Sequence, residues 1–429
     1  MNHKPSPRAG SIAVLIAALA AIYNVSQFLR NSVGVIANDL ARELDLSATE
    51  VGLLSSAFFL AFAAAQIPVG IAIDRYGPKR TMLASAVICI AGTGLFARAE
   101  TGAALIAARA LMGLGCSTFF MAPLALYARR FPPERFAFLT SVQLGLGSLG
   151  TLIATAPLAS VAAAFGWRTA FAIVAVLTAA VALAVLVLVP ETRSPASPGE
   201  TAPAAARPRE SWAETFRGVA TAFSVPSFWP VFLAHATSYS SFATVVGLWA
   251  GPWLSDVHGA DLTMRGRVLL VGAVAQVAGV FAWGYADRFF RSYRRSVLLA
   301  ASSAAILLIV AAIVPFTLVG ATVWLALFGF VVAYGPIVTA HGKSLFPPAL
   351  TGRGITLMNM GTMGGVFLLQ TGTGRLVDVF GAGQDGHYPA EAYQAVFLVL
   401  AVALAGSLIP YTRALDPHPS KSHGSHAKR

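Results

Sequence analysis

The residue with the most informative chemistry in this sequence is Arg30, which lies inside an apolar run at positions 12–38. A charged side chain at the centre of a bilayer costs about 2.5–3.5 kcal/mol, so such residues usually face a helix bundle or a water-filled cavity. Tyr23, Gln27 and Arg30 share one helical face because their positions follow the spacing i, i+4, i+7. This pattern predicts a polar stripe that lines a cavity.

None of the acidic residues is placed to neutralise Arg30. All 18 Asp and Glu fall in predicted loops, tails or helix ends, and the nearest to a span interior are Asp39 and Asp378. A guanidinium without a protein counter-ion suits a bidentate bond to a carboxylate or phosphate group of a ligand. We therefore expect Arg30 to bind an anion. A second interpretation stays open, in which Arg30 reaches the membrane edge or bonds backbone carbonyls.

The second half of the chain offers partners for this site. His235 and Tyr239 are four residues apart in the apolar run 228–250 and so share a helical face. His235 is a candidate carrier of a coupling proton because the charge of a histidine changes near physiological pH, although an interhelical hydrogen bond would explain it equally well. Gln143 and Asn359 complete the predicted substrate-binding set, although some such amides serve only to join helices.

Composition indicates which elements must position these residues. Of 429 residues, 56% are hydrophobic and 11% are charged, whereas soluble globular proteins carry about 25% charged residues. At about 20 apolar residues per span, this content allows about twelve membrane-spanning helices. It excludes a soluble enzyme, a secreted disulfide scaffold and a nucleic-acid-binding domain. The net charge of +12 fits a membrane protein whose basic residues gather at the cytoplasmic surface.

Apolar runs separated by charged or Gly/Pro-rich breaks predict twelve transmembrane helices. The runs are continuous rather than alternating, which favours helices over a β-barrel. The predicted spans lie at 12–38, 49–73, 81–98, 102–128, 137–163, 168–189, 228–250, 267–286, 296–315, 319–344, 354–378 and 391–412.

A polar, Pro-rich interruption divides the runs into two sets of six. We predict an N-terminal bundle at 1–189, a cytoplasmic linker at 190–227 with an amphipathic surface helix at 212–223, a C-terminal bundle at 228–413 and a disordered cytoplasmic tail at 414–429. Most of the 30 Lys and Arg fall on the cytoplasmic side if the N-terminus is inside. The positive-inside rule therefore predicts that both termini are cytoplasmic.

Two short motifs occur in both halves at nearly equal offsets. Asp74-Arg75 recurs as Asp287-Arg288, and the Phe-Pro-Pro of 131–133 recurs at 346–348. These matches indicate a duplicated unit, so the predicted fold class is an all-α integral membrane protein with twelve transmembrane helices in two pseudo-symmetric six-helix bundles. Parallel six-span repeats are typical of transporters, whose substrate site lies between the halves near the membrane midplane.

The loop after the second span reads GIAIDRYGPKR (70–80) and resembles the best-known signature of the major facilitator superfamily of secondary transporters. A weaker copy, GYADRFFRSYRR (284–295), occupies the matching place in the second half, and LIAARALMGLGCS (105–117) is similar to a second motif of the superfamily. The resemblance implies a role for Arg109 and Gly113, either in proton coupling or in interhelical structure. It also implies a gate built from Gly70, Asp74, Arg75, Gly77, Lys79, Arg80, Asp287 and Arg288.

Electrostatics gives these residues a physical reason to act as a gate. Asp74 can accept hydrogen bonds from the N-terminus of a neighbouring helix, where the dipole favours an anion. Arg75, Lys79 and Arg80 can pair with carboxylates or helix C-termini of the other half. Such contacts exist only while the cytoplasmic side is closed, so they favour the outward-open state.

The residues and the resemblance together predict a secondary active, multi-pass transporter that works by alternating access in the bacterial inner membrane, most like the anion and organic-acid uptake members of the superfamily. The expected substrate is a small organic anion taken up with protons. We expect a monomer in membrane lipid, with no cofactor, metal or nucleic-acid partner. Two alternatives stay open, namely a proton-coupled exporter of amphipathic compounds and a transport-like membrane solute sensor. An enzyme is not expected because the spans hold no paired carboxylates, metal-ligand cluster or nucleophile–base pair.

Overall fold

The computed structural model describes residues 9–191, 221–347, 350–384 and 386–417. Most of the predicted surface helix at 212–223 lies outside these ranges, as does the predicted tail beyond position 417. The side chains of Asp287 and Arg288 also lie outside the description, although their backbone is helical. The described residues form helices and turns, with no β-strand among them.

Six helical spans occupy the first described range. They are α1 (Ala9–Asn31 and Val33–Leu44), α2 (Ala48–Tyr76), α3 (Pro78–Arg98), α4 (Gly102–Cys116 and Met121–Arg130), α5 (Pro133–Ile153, continued by 156–165) and α6 (167–188). α5 and α6 meet at Gly166, where the backbone turns with φ +79° and ψ 154°. Glycine adopts such a positive φ without steric cost, so the chain reverses there without a longer loop.

Six more spans follow in the described part of the second half. They are α7 (Phe228–Thr244, Val245–Trp249 and Ala250–Asp256), α8 (Leu262–Phe290), α9 (Tyr293–Ile313), α10 (Leu318–Val332 and Gly335–Leu345), α11 (Thr351–Phe380) and α12 (Ala390–Tyr411). By length and apolar content, 10 helical stretches of the described chain could cross a membrane, and one of them, Glu134–Leu188, contains both α5 and α6. Together with α11, which is long but less apolar, they confirm the twelve predicted spans.

Five spans, namely α1, α4, α5, α7 and α10, are interrupted within the described chain. The interruptions lie at Ser32 in α1, at 117–120 in α4, at 154–155 in α5, at the π-helical turn Val245–Trp249 in α7 and at 333–334 in α10. Irregular backbone is tolerated at membrane depth only where protein buries it or where it lines a cavity. The interruptions therefore indicate that these helices are shielded from lipid at their breaks, by protein or by a cavity, as are the discontinuous helices that form substrate sites in transporters.

The two six-helix halves touch at one end of the bundle. We name it the Asp256 end, because Asp256 closes α7 there, and we name the opposite end the Asp74 end. The antiparallel helices α2 and α11 come together at Gly52, where a Cβ atom would lie 2.6 Å from the Gln370 carbonyl oxygen. Among the described residues, the hydrogen bonds that join the halves lie between the Asp256 end and the pair Ser56–Thr371. The molecule is therefore closed at the Asp256 end.

Candidate substrate site and gates

Arg30 occupies the last turn of the first α1 segment, next to the interruption at Ser32. Its side chain is half-buried, and its Nε atom is shielded from solvent and has no hydrogen-bond partner in the part of the chain that the structure describes. The guanidinium carbon lies 4.9 Å from the centre of the Phe62 ring on α2, which is a cation–π contact. Among the described residues Arg30 makes no ion pair. The guanidinium therefore keeps uncommitted hydrogen-bond donors.

Two more predicted residues accompany Arg30 on α1. The Gln27 Oε1 atom is buried and has no hydrogen-bond partner within the described ranges. Tyr23 is buried, with its ring centre 5.1 Å from that of Phe120 on α4. The Tyr23 hydroxyl is close enough to Arg30, and to Tyr239 of the other half, for electrostatic interaction. The structure thus brings predicted residues of both halves together.

α7 and α11 carry the remaining candidates of the second half. The His235 Nδ1 atom is buried, and none of the residues that the structure describes forms a hydrogen bond with it. The Thr362 hydroxyl of α11 donates to the His235 carbonyl oxygen at 3.5 Å, which joins the two helices at this level. Asn359 is half-buried one helical turn earlier on α11, and its amide bonds no other described residue. His235 and Asn359 therefore lie on neighbouring helices, and each has a polar group that forms no hydrogen bond to a described residue.

Gln143 does not join this group. Its side chain is fully buried, where Oε1 accepts from the Tyr127 hydroxyl at 2.8 Å and Nε2 donates to the Leu19 carbonyl oxygen at 2.9 Å. Both ends of the amide are thus engaged in joining α5 to α4 and α1. In this conformation the amide therefore joins helices, and a substrate contact by Gln143 stays a prediction.

Arg109 is fully buried on α4 and bonds backbone carbonyls of α1 and α2. The acceptors are the carbonyl oxygens of Leu29 at 2.5 Å and of Leu54 and Ser55 at 3.4 Å each. α4 comes this close to α2 because Gly113 packs directly on the Phe58 carbonyl oxygen, where a Cβ atom would collide. Of the two roles that the resemblance left open for Arg109, these contacts favour interhelical structure.

The two arginines share an aromatic support on α2. The rings of Phe58 and Phe62 are nearly parallel, at 16°, with centres 6.2 Å apart. The Arg109 guanidinium carbon lies 4.8 Å from the Phe58 ring centre, as that of Arg30 lies over Phe62. Cation–π attraction reaches about 2 kcal/mol in a desolvated site. It helps to explain how the chain holds two guanidinium groups inside the bundle with no acidic partner among the described residues.

At the Asp74 end, the predicted gating residues contact their own half. An Asp74 oxygen lies 3.6 Å from an Arg129 nitrogen of α4. Lys79 donates to the Leu186 carbonyl oxygen, in the last turn of α6, at 2.7 Å. The expected contact of Lys79 with the other half is therefore not made here, because the halves are joined at the opposite end.

Arg80 and Arg75 behave similarly. Arg80 donates to both carboxylate oxygens of Glu191, at 3.0 and 3.2 Å, and this hydrogen bonding lowers the pKa of the exposed Glu191 carboxyl. The Arg75 guanidinium lies 5.5 Å from the ring centre of its neighbour Tyr76. Neither arginine contacts a described residue of the other half, so both expected inter-half contacts are absent from the described part of this structure.

Two glycines of the same motif differ in what they do. Gly77 ends α2 and precedes Pro78 with φ +87°, so it makes a turn that favours glycine. A Cβ atom at Gly70 would meet open space, so packing does not require glycine there. The repeated pair Asp287-Arg288 lies in the last turn of α8, and its side chains are outside the described residues.

A cluster around Asp256, whose side chain is only 3% exposed, was not predicted from the sequence. Its carboxylate accepts from Asn38 of α1 at 2.8 Å, from the Tyr393 hydroxyl at 2.6 Å and from His387 Nδ1 at 2.8 Å. Arg42 of α1 in turn lies 2.9 Å from His387 Nε2. The predicted seventh span stopped at 250, whereas the π-helical turn and the segment Ala250–Asp256 extend α7 and carry this acid into the interface.

Both acids that the sequence placed nearest to a span interior also join the halves at this end. Asp39 of α1 pairs with Arg265 of α8 at 3.0 Å. Asp378 of α11 accepts from the backbone at the start of α2, and from the Tyr388 hydroxyl at 2.8 Å. Burial and the neighbouring Asp378 carboxylate raise the pKa of Tyr388 to about 12, so its hydroxyl remains a donor at neutral pH.

Twelve spans in two halves, interrupted helices between them and polar contacts that close one end define a multi-pass membrane carrier. The model of the Major Facilitator Superfamily matches residues 19–369, and the chain belongs to this family. Its members are transporters rather than enzymes.

Relatives and solved structures agree with this assignment. The hexuronate transporter of Bacillus subtilis is 26% identical over 414 residues, which cover 91% of this chain and 93% of that protein. A probable sulfoacetate transporter, SauU of Cupriavidus necator, is 26% identical over 158 residues, or 37% of each chain. A bacterial homologue of the human lysosomal transporter Spinster, in an inward-facing and unoccupied conformation, superposes with a TM-score of 0.77 at 19% identity, covering 95% of this chain and 97% of that chain. This last likeness shows a shared fold.

Proposed function

We propose that the protein carries a small organic anion across the bacterial inner membrane by alternating access, as a monomer, and that Arg30 binds the anion. One observation carries the proposal. The Arg30 guanidinium lies inside the bundle without an ion pair among the described residues, and its buried Nε has no partner. A ligand carboxylate would supply the missing charge through a bidentate bond.

The substrate would lie between the two halves. Tyr23 and Gln27 would contact it from α1, and His235, Tyr239 and Asn359 from α7 and α11. The buried, unpartnered Gln27 Oε1 and His235 Nδ1 support this arrangement, because a polar ligand would satisfy both atoms. Hexuronate and sulfoacetate, which name two of the relatives, are themselves small organic anions.

The transport cycle follows from the closed Asp256 end. We assign the Asp74 end to the cytoplasm because most Lys and Arg of the chain lie on that side of the predicted topology. On this assignment both termini are cytoplasmic and the structure faces inward. Import would require the Asp256 end to open, admit the anion and close again. A coupling proton would travel on His235 or on the substrate, since no described Asp or Glu is placed inside the central site.

Counterflow in proteoliposomes tests the anion site. Arg30→Ala is expected to lower uptake of monocarboxylates, dicarboxylates or sugar acids about 100-fold, the effect of losing about 3 kcal/mol of charge-assisted hydrogen bonding. Arg267→Ala is the matched control, because Arg267 is an exposed arginine near the start of α8.

The outcomes separate the proposal from its rivals. If the Arg30→Ala variant takes up an organic anion at the wild-type rate, the proposed anion site is rejected. Efflux of amphipathic compounds with no anion uptake would instead favour an exporter, and substrate binding without any flux would favour a sensor. If a proton gradient does not affect uptake, proton coupling is rejected, whereas the proposed anion site is not contradicted.

A further inference from the structure

The N-terminus of α2 is capped by both halves of the molecule. A helix N-terminus leaves four N–H groups without intrahelical acceptors. The Ser47 N–H donates to the Glu50 carboxylate at 2.9 Å, and the Glu50 N–H donates to the Ser47 hydroxyl at 3.2 Å. The other two, of Ala48 and Thr49, each donate at 2.8 Å to a different oxygen of Asp378, at the end of α11. Half of this cap therefore belongs to the opposite half of the protein.

The two helices keep one register along their contact. The opposed pairs are Ala48 with Asp378, Gly52 with Gly374 and Ser56 with Thr371. Because α2 and α11 are antiparallel, each step toward the end of α2 is a step toward the start of α11. Extending this register places Asp74 opposite Gly352, in the first turn of α11. Each helix thus carries an aspartate near its C-terminus that matches the N-terminus of the other helix.

We propose that Asp378 is a latch that holds the Asp256 end closed, as the counterpart of Asp74 at the other end of the same helix pair. In this structure Asp378 is engaged, whereas Asp74 lies near Arg129 and bonds no described residue of α11. The two latches alternate, because closing the halves at one end separates them at the other. This inference rests on the alternating access proposed above.

The strength of the latch comes from charge. A carboxylate at a helix N-terminus gains from the helix dipole, and its hydrogen bonds are stronger than those of a neutral acceptor. When the Asp256 end opens, the Asp378 carboxylate loses its two backbone N–H donors on α2 and is hydrated by water instead. Asp378→Asn removes the negative charge and turns an amide N–H₂ toward one of the two backbone N–H groups. The closed Asp256 end should therefore lose stability relative to the open one.

Spin-label distances in substrate-free proteoliposomes test the latch at both ends. The label pairs are Glu100→Cys with Gln384→Cys at the Asp256 end, and Ala128→Cys with Lys343→Cys at the Asp74 end. All four positions are exposed, and each pair joins the two halves. The native Cys89 and Cys116 are buried, which favours labelling at the introduced sites.

Asp378→Asn is expected to raise the open-to-closed ratio at the Asp256 end about tenfold, or about 1.4 kcal/mol. Asp74→Asn is expected to shift the ratio in the opposite direction, and the double variant to return toward the wild-type ratio. Asp261→Asn is the control, because Asp261 lies at the same end but caps its own helix through the Met264 N–H. Its distances should match those of the wild type.

Two outcomes would overturn the latch. In the first, the wild-type protein shows two distance populations, and Asp378→Asn either leaves their ratio unchanged or shifts it toward the closed Asp256 end. The second is a single population at both ends in every variant, which would contradict alternating access as well. Since no substrate is present, a failure of the Arg30 anion site leaves these distances unaffected, and the two proposals fail separately.

Discussion

Arg30 and Arg109 are the same residue type at similar depth in one bundle, and they differ in what surrounds them. Each guanidinium lies over a phenylalanine ring of α2. Arg109 is fully buried and donates to three backbone carbonyls, whereas Arg30 is half-buried with an unpartnered Nε. The comparison teaches that the hydrogen-bond partners of an intramembrane arginine, rather than its presence in a span, separate a structural role from a binding role.

The interruption of α1 helps to explain the difference. The last four carbonyls of a helical segment have no intrahelical donor. Leu29 lies in the last turn before the interruption at Ser32, and its carbonyl oxygen accepts from Arg109 at 2.5 Å and from the Ser32 hydroxyl at 3.1 Å. The same break frees this carbonyl for Arg109, whereas the guanidinium of the adjacent Arg30 bonds no acceptor among the residues that the structure describes.

The sharpest test of the comparison is stability. Arg109→Ala removes three hydrogen bonds to backbone carbonyls and leaves a cavity between α1, α2 and α4, so we expect the free energy of unfolding in detergent to fall by about 3 kcal/mol. Arg30→Ala breaks no hydrogen bond to a described residue and should change the free energy of unfolding by less than about 1 kcal/mol. Equal losses in the two variants would contradict the division into a structural and a binding arginine.

The same contrast between a side chain with hydrogen-bond partners and one without them applies to two amides, for which we expect a smaller difference in stability. Gln143→Leu removes a hydrogen bond to the buried Tyr127 hydroxyl and should lower the free energy of unfolding by about 2 kcal/mol. Gln27→Leu replaces an amide whose Oε1 has no partner, so its stability should match the wild type while anion affinity falls. Paired unfolding and binding titrations measure both effects. A Gln143→Leu variant with wild-type stability and weakened anion binding would instead support Gln143 as a substrate contact.

Sequence reasoning located the spans and Arg30 because both depend on local composition. A long apolar run must be helical in lipid, and a charge within it stands out without knowledge of its neighbours. It does not decide the role of Gln143, whose partners lie 16 and 124 residues away along the chain. Whether an amide is free or satisfied is decided by packing between helices, which a single sequence does not contain.

The Asp256 end was harder to foresee for the same reason. Asp378 looks like an ordinary acid at a helix end, and its meaning lies in the two N–H groups of α2 that it caps from 329 and 330 residues away. The basic motif at the Asp74 end was found because its spacing is local and resembles a known signature. The register of α2 against α11, which relates the two ends, is visible only once the helices are packed.

The smallest expected effect concerns the aromatic support that the two arginines share. Phe62→Leu keeps an apolar side chain but removes the ring beneath Arg30, so anion affinity should fall about fivefold, or about 1 kcal/mol, with stability nearly unchanged. Phe58→Leu removes the ring beneath Arg109 and should instead lower stability while anion affinity stays at the wild-type value. Phe62→Tyr, which keeps a ring face, is expected to retain affinity. If Phe58→Leu and Phe62→Leu weaken binding equally, the two arginines act as one unit and the contrast between them is wrong.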